Sequence, residues 1–202
     1  MPRKIGKLKA NKTFLIIVEG SVEKIYFSDV KVNGHISGVT ITPKVSKHSD
    51  LYTILKSALI EYKSNVYDSI WCVFDRDTII ANEMSEETSK LYKKAISIGI
   101  HFADSMPAFE VWLLLHYAMP DLFYSSQDKV IAELKKHIPH YSKNQMWLSS
   151  ANLYSTLKPY FDFAMENASE LNKKKEEIGN ENSTCSNVYK LFKELKEIVK
   201  NK

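Results

Sequence analysis

The chain has 202 residues, 44% of them hydrophobic and 26% charged, with only six Gly and six Pro, which excludes a disordered or collagen-like chain and leaves room for one substantial core. A net charge of +4 permits a polyanionic partner without requiring one, and two cysteines, Cys72 and Cys185, exclude a disulfide framework and a Cys-rich zinc site. The basic start, with Arg3, Lys4, Lys7, Lys9 and Lys12 ahead of the first acid, Glu19, reads as a solvated tail over residues 1–12, with phosphate-backbone contact as the alternative. The apolar run FLIIV that follows stops after five residues, too short for a secretory signal, and VWLLLHYAM is too short to span a bilayer. A cytoplasmic protein with no membrane partner is the expectation.

In chain order, TFLIIV (residues 13–18) is a continuous apolar run, as in a strand covered on both faces. Glu19-Gly20 breaks it, and Val22, Ile25, Tyr26 and Val30 recur at helical spacing. Asn33-Gly34 turns the chain into VTITPKV (39–45), a strand whose Pro43 points to a sheet edge or a strand end. Ser49-Asp50 forms a helix cap, and Leu51, Ile54, Leu55, Ala58, Leu59 and Tyr62 form an apolar helical stripe. SIWCVF (69–74) is a third strand, running straight into Asp75 and Asp77; a helix over 85–97, a stop at Gly99 and a short strand over 100–103 follow. This β-α-β-α-β-α-β order predicts an α/β core over residues 13–105 with a four-stranded parallel sheet flanked by helices.

No strand is expected beyond Pro107. Helices are expected for PAFEVWLLLHYA (107–118, opened by Pro), for 127–137, for 151–168 and for the stripe Val188, Leu191, Phe192, Leu195, Ile198, Val199. LNKKKEEIGNENS (171–183) reads as a charged connector. Residues 106–202 are thus an α-helical C-terminal region.

In an open parallel sheet, residues just beyond the carboxyl ends of the strands line one edge, where ligands bind. That topology gathers Glu19, Asp75 and Asp77. Hard carboxylate oxygens without Cys or paired His favour Mg²⁺ or Mn²⁺ over zinc, and a cation would offset the repulsion between Asp75 and Asp77. Gly20 lets backbone approach a ligand closely. The competing reading is that Asp ends the strand for turn or cap reasons. Neither GxxxxGK nor GxGxxG occurs, so no nucleotide fingerprint applies.

VEGSVEKIYF followed by VFDRD resembles a topoisomerase-primase (TOPRIM) domain. With SMPAFEVWLLLHY (105–117) and STCSNVYKL (183–191), the chain more specifically resembles the RloB/AbiLii family of bacterial defence-associated proteins. It departs from the family pattern at Val22, where Thr is usual, and at Met106, where Asn is common. The resemblance implies a TOPRIM-like fold and metal-dependent phosphodiester chemistry, with Asp75, Asp77 and Glu19 as ligands of Mg²⁺ or Mn²⁺ and Glu19 also a candidate general acid/base. Glu23 serves either a second ion or the positive end of its helix, and Glu110 is either a catalytic carboxylate or a helix-dipole partner. Asp104 is a further acid at the fourth strand's end, and His116 is read first as a core histidine. Arg76, Tyr141 and Lys143 are weaker candidates for substrate contact, the last two within HIPHYSKN.

The function this implies is a metal-dependent nuclease acting on RNA (tRNA included) or DNA. It would be the effector of an anti-phage abortive infection system, working beside an ABC-type ATPase. The alternative is a non-catalytic TOPRIM-fold subunit that binds or regulates such an ATPase. A phosphotransferase using the same acids is a third reading, for which the sequence supplies no phosphate loop.

Overall fold

The computed structural model describes residues 11–76 and 84–200. Asp77 and the basic residues Arg3 to Lys9 lie outside them. Strands β1 (Lys12–Val18), β2 (Val39–Val45), β3 (Ser69–Val73) and β4 (His101–Phe102) form a sheet in the order β2-β1-β3-β4. All its neighbouring pairs are parallel, so the expected α/β architecture is the one observed. Pro43 lies on β2, an edge strand, where a missing N–H costs least.

The sheet is covered on both faces because its central strands alternate apolar side chains between two cores. Phe14, Ile16 and Val18 face one core with α1 (Ser21–Asn33), whereas Leu15 and Ile17 join Ile70, Cys72 and Phe74 against α2 (Leu51–Ser64) and α3 (Glu86–Ser97). Local capping sets where the last two helices begin. Asp50 accepts the Thr53 N–H at 2.8 Å, and Ser85 accepts that of Thr88 at 3.2 Å. Tyr62 leaves the expected α2 stripe and is 46% exposed.

The C-terminal half is helical: α4 (Glu110–Leu114), α5 (Gln127–His137), α6 (Gln145–Ala151), α7 (Leu153–Leu157), a 3₁₀ turn (Lys158–Tyr160), α8 (Phe161–Ile178) and α9 (Val188–Lys200). The expected helix over 151–168 is split into α7, the 3₁₀ turn and α8, and three further expectations are corrected there. The helix over 107–118 shortens to α4 because its flanks wind as tighter i,i+3 turns, with the Val111 N–H on the Ala108 carbonyl at 3.0 Å and the Tyr117 N–H on the Leu114 carbonyl at 2.8 Å, and Ala108, Phe109 and residues 111–115 are all buried. The expected connector is instead the second half of α8, whose charges form the i,i+4 pairs Lys174–Glu170 and Lys173–Glu177 while Leu171 is buried beneath. Gly179, at φ 67°, ends that helix by donating its N–H to the Lys175 carbonyl.

A small antiparallel pair, β5 (Ser105–Met106) with β6 (Cys185–Ser186), also stands where no strand was expected. Side chains hold it together. The Ser105 and Ser186 hydroxyls are 2.9 Å apart, and the Asn172 amide donates to the Ser186 carbonyl at 2.8 Å. This pair anchors the start of α9 beside the carboxyl edge of the sheet. The helical half and the sheet share one core, in which Phe14 and Trp71 belong with Leu134, Leu157 and Leu195.

Candidate functional site

Register brings the first two acids together. Val18 pairs with Val73, so Glu19 and Phe74 leave the sheet side by side. The Glu19 N–H donates to the Val73 carbonyl at 3.1 Å, and the Asp75 N–H donates to the Glu19 carboxylate at 2.9 Å. β3 is prolonged past its end by a bridge between Asp75 and Ser105, with the Arg76 N–H on the Ser105 carbonyl at 2.8 Å. The Asp75 side chain in turn accepts the Phe109 N–H at 2.8 Å, tying the strand end to the entry of α4.

Glu23 stands on the first turn of α1 and is buried. Gly20 makes room for it: a Cβ built there would lie 3.1 Å from a Glu23 carboxylate oxygen. Burial pushes the Glu23 carboxyl up to about 7, against a hydrogen bond from its own N–H and with further upward pressure from Glu110 and Glu19. Burial also holds Asp75 well above the usual carboxylate range, reinforced by Glu23, Glu19 and Glu110. Each of the two carboxyls thus feels the charge of the other acids at this edge.

Glu110, 1% exposed, is the acid that the helical half surrounds with donors. It accepts from the Tyr141 hydroxyl at 2.8 Å and from the Gln127 amide at 3.0 Å, and Lys143 Nζ lies 3.4 Å away. Tyr141 is itself 2% exposed and edge-on to Trp147. Its candidacy for substrate contact is therefore corrected: the ring is core and its hydroxyl serves Glu110. Lys143, with its side chain 46% exposed, sits at the rim of the acidic cluster.

Arg76 points elsewhere. Its Nε is 3.3 Å from Asp104 and its Nη2 is 2.6 Å from Glu181, so Asp104 also lies away from the carboxylate cluster. His116 is fully buried, with Nδ1 on the Trp112 carbonyl and Nε2 without a partner among the described residues. Burial lowers its imidazole to about 4, as for a core histidine. Tyr26, in the EGSVEKIYF stretch, is likewise structural: its hydroxyl accepts the Trp112 indole N–H at 2.9 Å in the middle of the core.

The structure therefore brings Glu19, Glu23, Asp75 and Glu110 to one edge, supported by Tyr141, Gln127 and Lys143 from the helical half. Nothing local in the sequence points to Gln127; its role follows only from the packing of α5 on α4. As donors the four acids are hard oxygens, the chemistry that Mg²⁺ or Mn²⁺ takes, and their mutual repulsion is what a cation relieves. Among the described residues no group of three Asp, Glu, His or Cys side chains is drawn together as a finished metal cage. Asp77 is not one of those residues.

Fold and site define an α/β protein with a helical C-terminal half and an acid-lined sheet edge, consistent with a TOPRIM-like fold. A family model described as RloB-like protein matches residues 14–195, most of the chain. The chain belongs to the RloB-like protein family. No curated protein and no solved structure matches it. No helix among the described residues is long and apolar enough to cross a membrane.

Proposed function

We propose that this protein is a metal-dependent nuclease that cleaves phosphodiester bonds in RNA or DNA, the effector of an anti-phage abortive infection system with an ABC-type ATPase as partner. The observation that carries the reading is the geometry of the edge: the Asp75 N–H lies on the Glu19 carboxylate at 2.9 Å beside the buried Glu23 and Glu110, and burial with neighbouring acids pushes Glu23 and Asp75 above their ordinary carboxyl range. Grouping buried acids costs stability, and a divalent cation is the simplest ligand to recover it. Asp75, Asp77 and Glu19 would hold Mg²⁺ or Mn²⁺. Such an ion, when bound, polarises a scissile phosphate.

The chain's own groups take the remaining tasks. Glu23, buried beside Glu19, is placed to hold or pass a proton at its carboxylate. Glu110 is kept in one rotamer by Tyr141 and Gln127, so it orients rather than moves. Lys143 at the rim supplies positive charge next to the acids, suited to a phosphate arriving from solvent.

The test is to incubate the purified protein with total RNA, tRNA and plasmid DNA in Mg²⁺ or Mn²⁺. EDTA and the Asp75→Asn and Asp77→Asn variants serve as controls. Cleavage that disappears with EDTA and in both variants supports the reading and identifies the substrate class. Absence of cleavage both alone and with the ATPase present overturns it. It would favour the second reading, a non-catalytic subunit of an ATPase complex, for which the occupied donor set around Glu110 is the specific support.

A further inference from the structure

Asp75 and Arg76 are consecutive and leave the strand end on opposite sides, Asp75 toward Phe109 and Arg76 toward Asp104. Beyond Arg76 lies a cleft of about 560 Å³ between α3, the end of α8 and the start of α9. That volume falls within the roughly 300–1,000 Å³ of small-molecule sites. Its lining sets Arg76, Lys175 and Lys190 against Asp104, Glu176 and Glu181. It also includes Phe74, Met84 and Tyr92. Tyr92 is stacked on Phe102 at 4.7 Å and 20°, which fixes the plane of its ring.

Two of the cations converge on one oxygen. Glu181 lies 2.6 Å from Arg76 Nη2 and 3.5 Å from Lys175 Nζ through the same Oε2 atom. The partners differ sharply in exposure: the Arg76 and Lys175 side chains are 23% and 13% exposed, that of Glu181 77%. The cations are therefore built into the wall, Arg76 being further held by Asp104. The anion comes from a surface turn just after Gly179 and adds little packing. Asn187 donates its amide to Asp104 at 2.9 Å and leaves its buried Oδ1 with no partner among the described residues, an acceptor in want of a donor.

Two built-in cations that converge on one exposed, exchangeable acid, in a cleft that also carries an oriented aromatic, suit a ligand with an anionic head and a flat body. A phosphate fits their point of convergence better than a carboxylate. It offers three acceptor oxygens, and guanidinium and ammonium groups pair with it strongly. We propose that this cleft binds the phosphate of a nucleotide through Arg76 and Lys175, and that Glu181 is a resident counter-ion which the phosphate displaces. Arg76 pairs with Asp104 and Glu181 and Lys175 with Glu181, so the proposed contacts draw on a different set of partners from the metal chemistry proposed above.

The test is calorimetric binding in EDTA, which silences any metal site. The probes are adenosine monophosphate, a short 5′-phosphorylated oligonucleotide, adenosine and inorganic phosphate. A phosphorylated probe binds and adenosine does not. Glu181→Gln tightens that binding and Lys175→Met weakens it, each by about tenfold, the worth of one charge-assisted hydrogen bond. Glu170→Gln makes the same charge change on the exposed face of α8, where Glu170 pairs with Lys174, and leaves binding unchanged. Binding of the mononucleotide assigns a free nucleotide; binding of the oligonucleotide alone assigns a phosphate of a strand. Failure of both, equal affinity for inorganic phosphate, or equal responses to Glu181→Gln and Glu170→Gln overturns the proposal. The last comparison decides even if Lys175→Met does not fold.

Discussion

Two buried titratable side chains pull the pH dependence of stability in opposite directions. The Glu23 carboxyl sits at about 7 in the folded protein against an ordinary 4.5. Between those values the native state keeps a proton that the unfolded chain has lost, so stability falls as pH rises from 4.5 through 7. His116, lowered from 6.5 to about 4, does the reverse: below 6.5 the unfolded chain takes a proton that the native state refuses, so stability rises over that window. The overlap masks both slopes in the wild type. Glu23→Gln removes the Glu23 contribution and leaves that of His116; because Glu23 also helps to push Asp75 up, the difference between the two proteins reports the coupled acids of the edge. Relative to wild type, the variant should gain on the order of 3 kcal/mol between about pH 5 and pH 8, read from urea unfolding at each pH. A difference that does not change with pH would mean that Glu23 is not held protonated. Mg²⁺ or Mn²⁺ should stabilise the wild type more at the higher pH, where more of the acidic edge is charged, and chelation should remove that gain.

At the scale of elements, the junction of β1 and α1 depends on the absence of a side chain. Gly20 has ordinary extended angles, φ −133° and ψ −172°, so alanine is not strained there. What an added Cβ meets is the Glu23 carboxylate, 3.1 Å away. A side-chain end can give way cheaply, so Gly20→Ala should change stability by less than about 1 kcal/mol. It should nonetheless displace the carboxylate at the acidic edge. The expected outcome is a near-normal melting curve with a weakened stabilisation by Mg²⁺ or Mn²⁺; an unchanged metal response would separate Gly20 from the site.

The same elements explain what could be read without coordinates. The sheet, α1, α2 and α3 were legible because period, Gly99 and the Asp50 cap are local signals, and the meeting of Glu19 with Asp75 follows from the strand ends of a parallel sheet. The shortness of α4 was not, since a segment buried all round carries no periodic stripe. The length of α8 was hidden by its charged outer face. Strands of two residues, like β5 and β6, are too short to show alternation, and the service of Tyr141 and Gln127 to Glu110 exists only in the packed helical half.

Whether sheet and helical half act as one unit is decided at the scale of the molecule. Phe192, on α9 and 2% exposed, stacks on Phe27 at 6.0 Å and on Trp112 at 5.5 Å, and meets Phe161 edge-on at 4.9 Å. One ring therefore joins α1, α4, α8 and α9. A second tie is polar: Asp29 of α1 accepts from both the backbone N–H and the hydroxyl of Ser155 on α7, each at 3.1 Å. Because the core is continuous across these contacts, opening the helical half strips the cover from one face of the sheet. Phe192→Ala should cost roughly 3–5 kcal/mol. Native-state hydrogen exchange should show the loss equally in the amides of β1 and of α8, although Phe192 lies far along the chain from β1. If only the helical amides lost protection, the sheet would have a stability of its own, and the acidic edge would then be a feature of the α/β half that the helical half merely covers. Equal loss would make the site a property of the whole chain: Glu110, Tyr141 and Lys143 would come and go with the same transition that forms the sheet edge carrying Glu19 and Asp75.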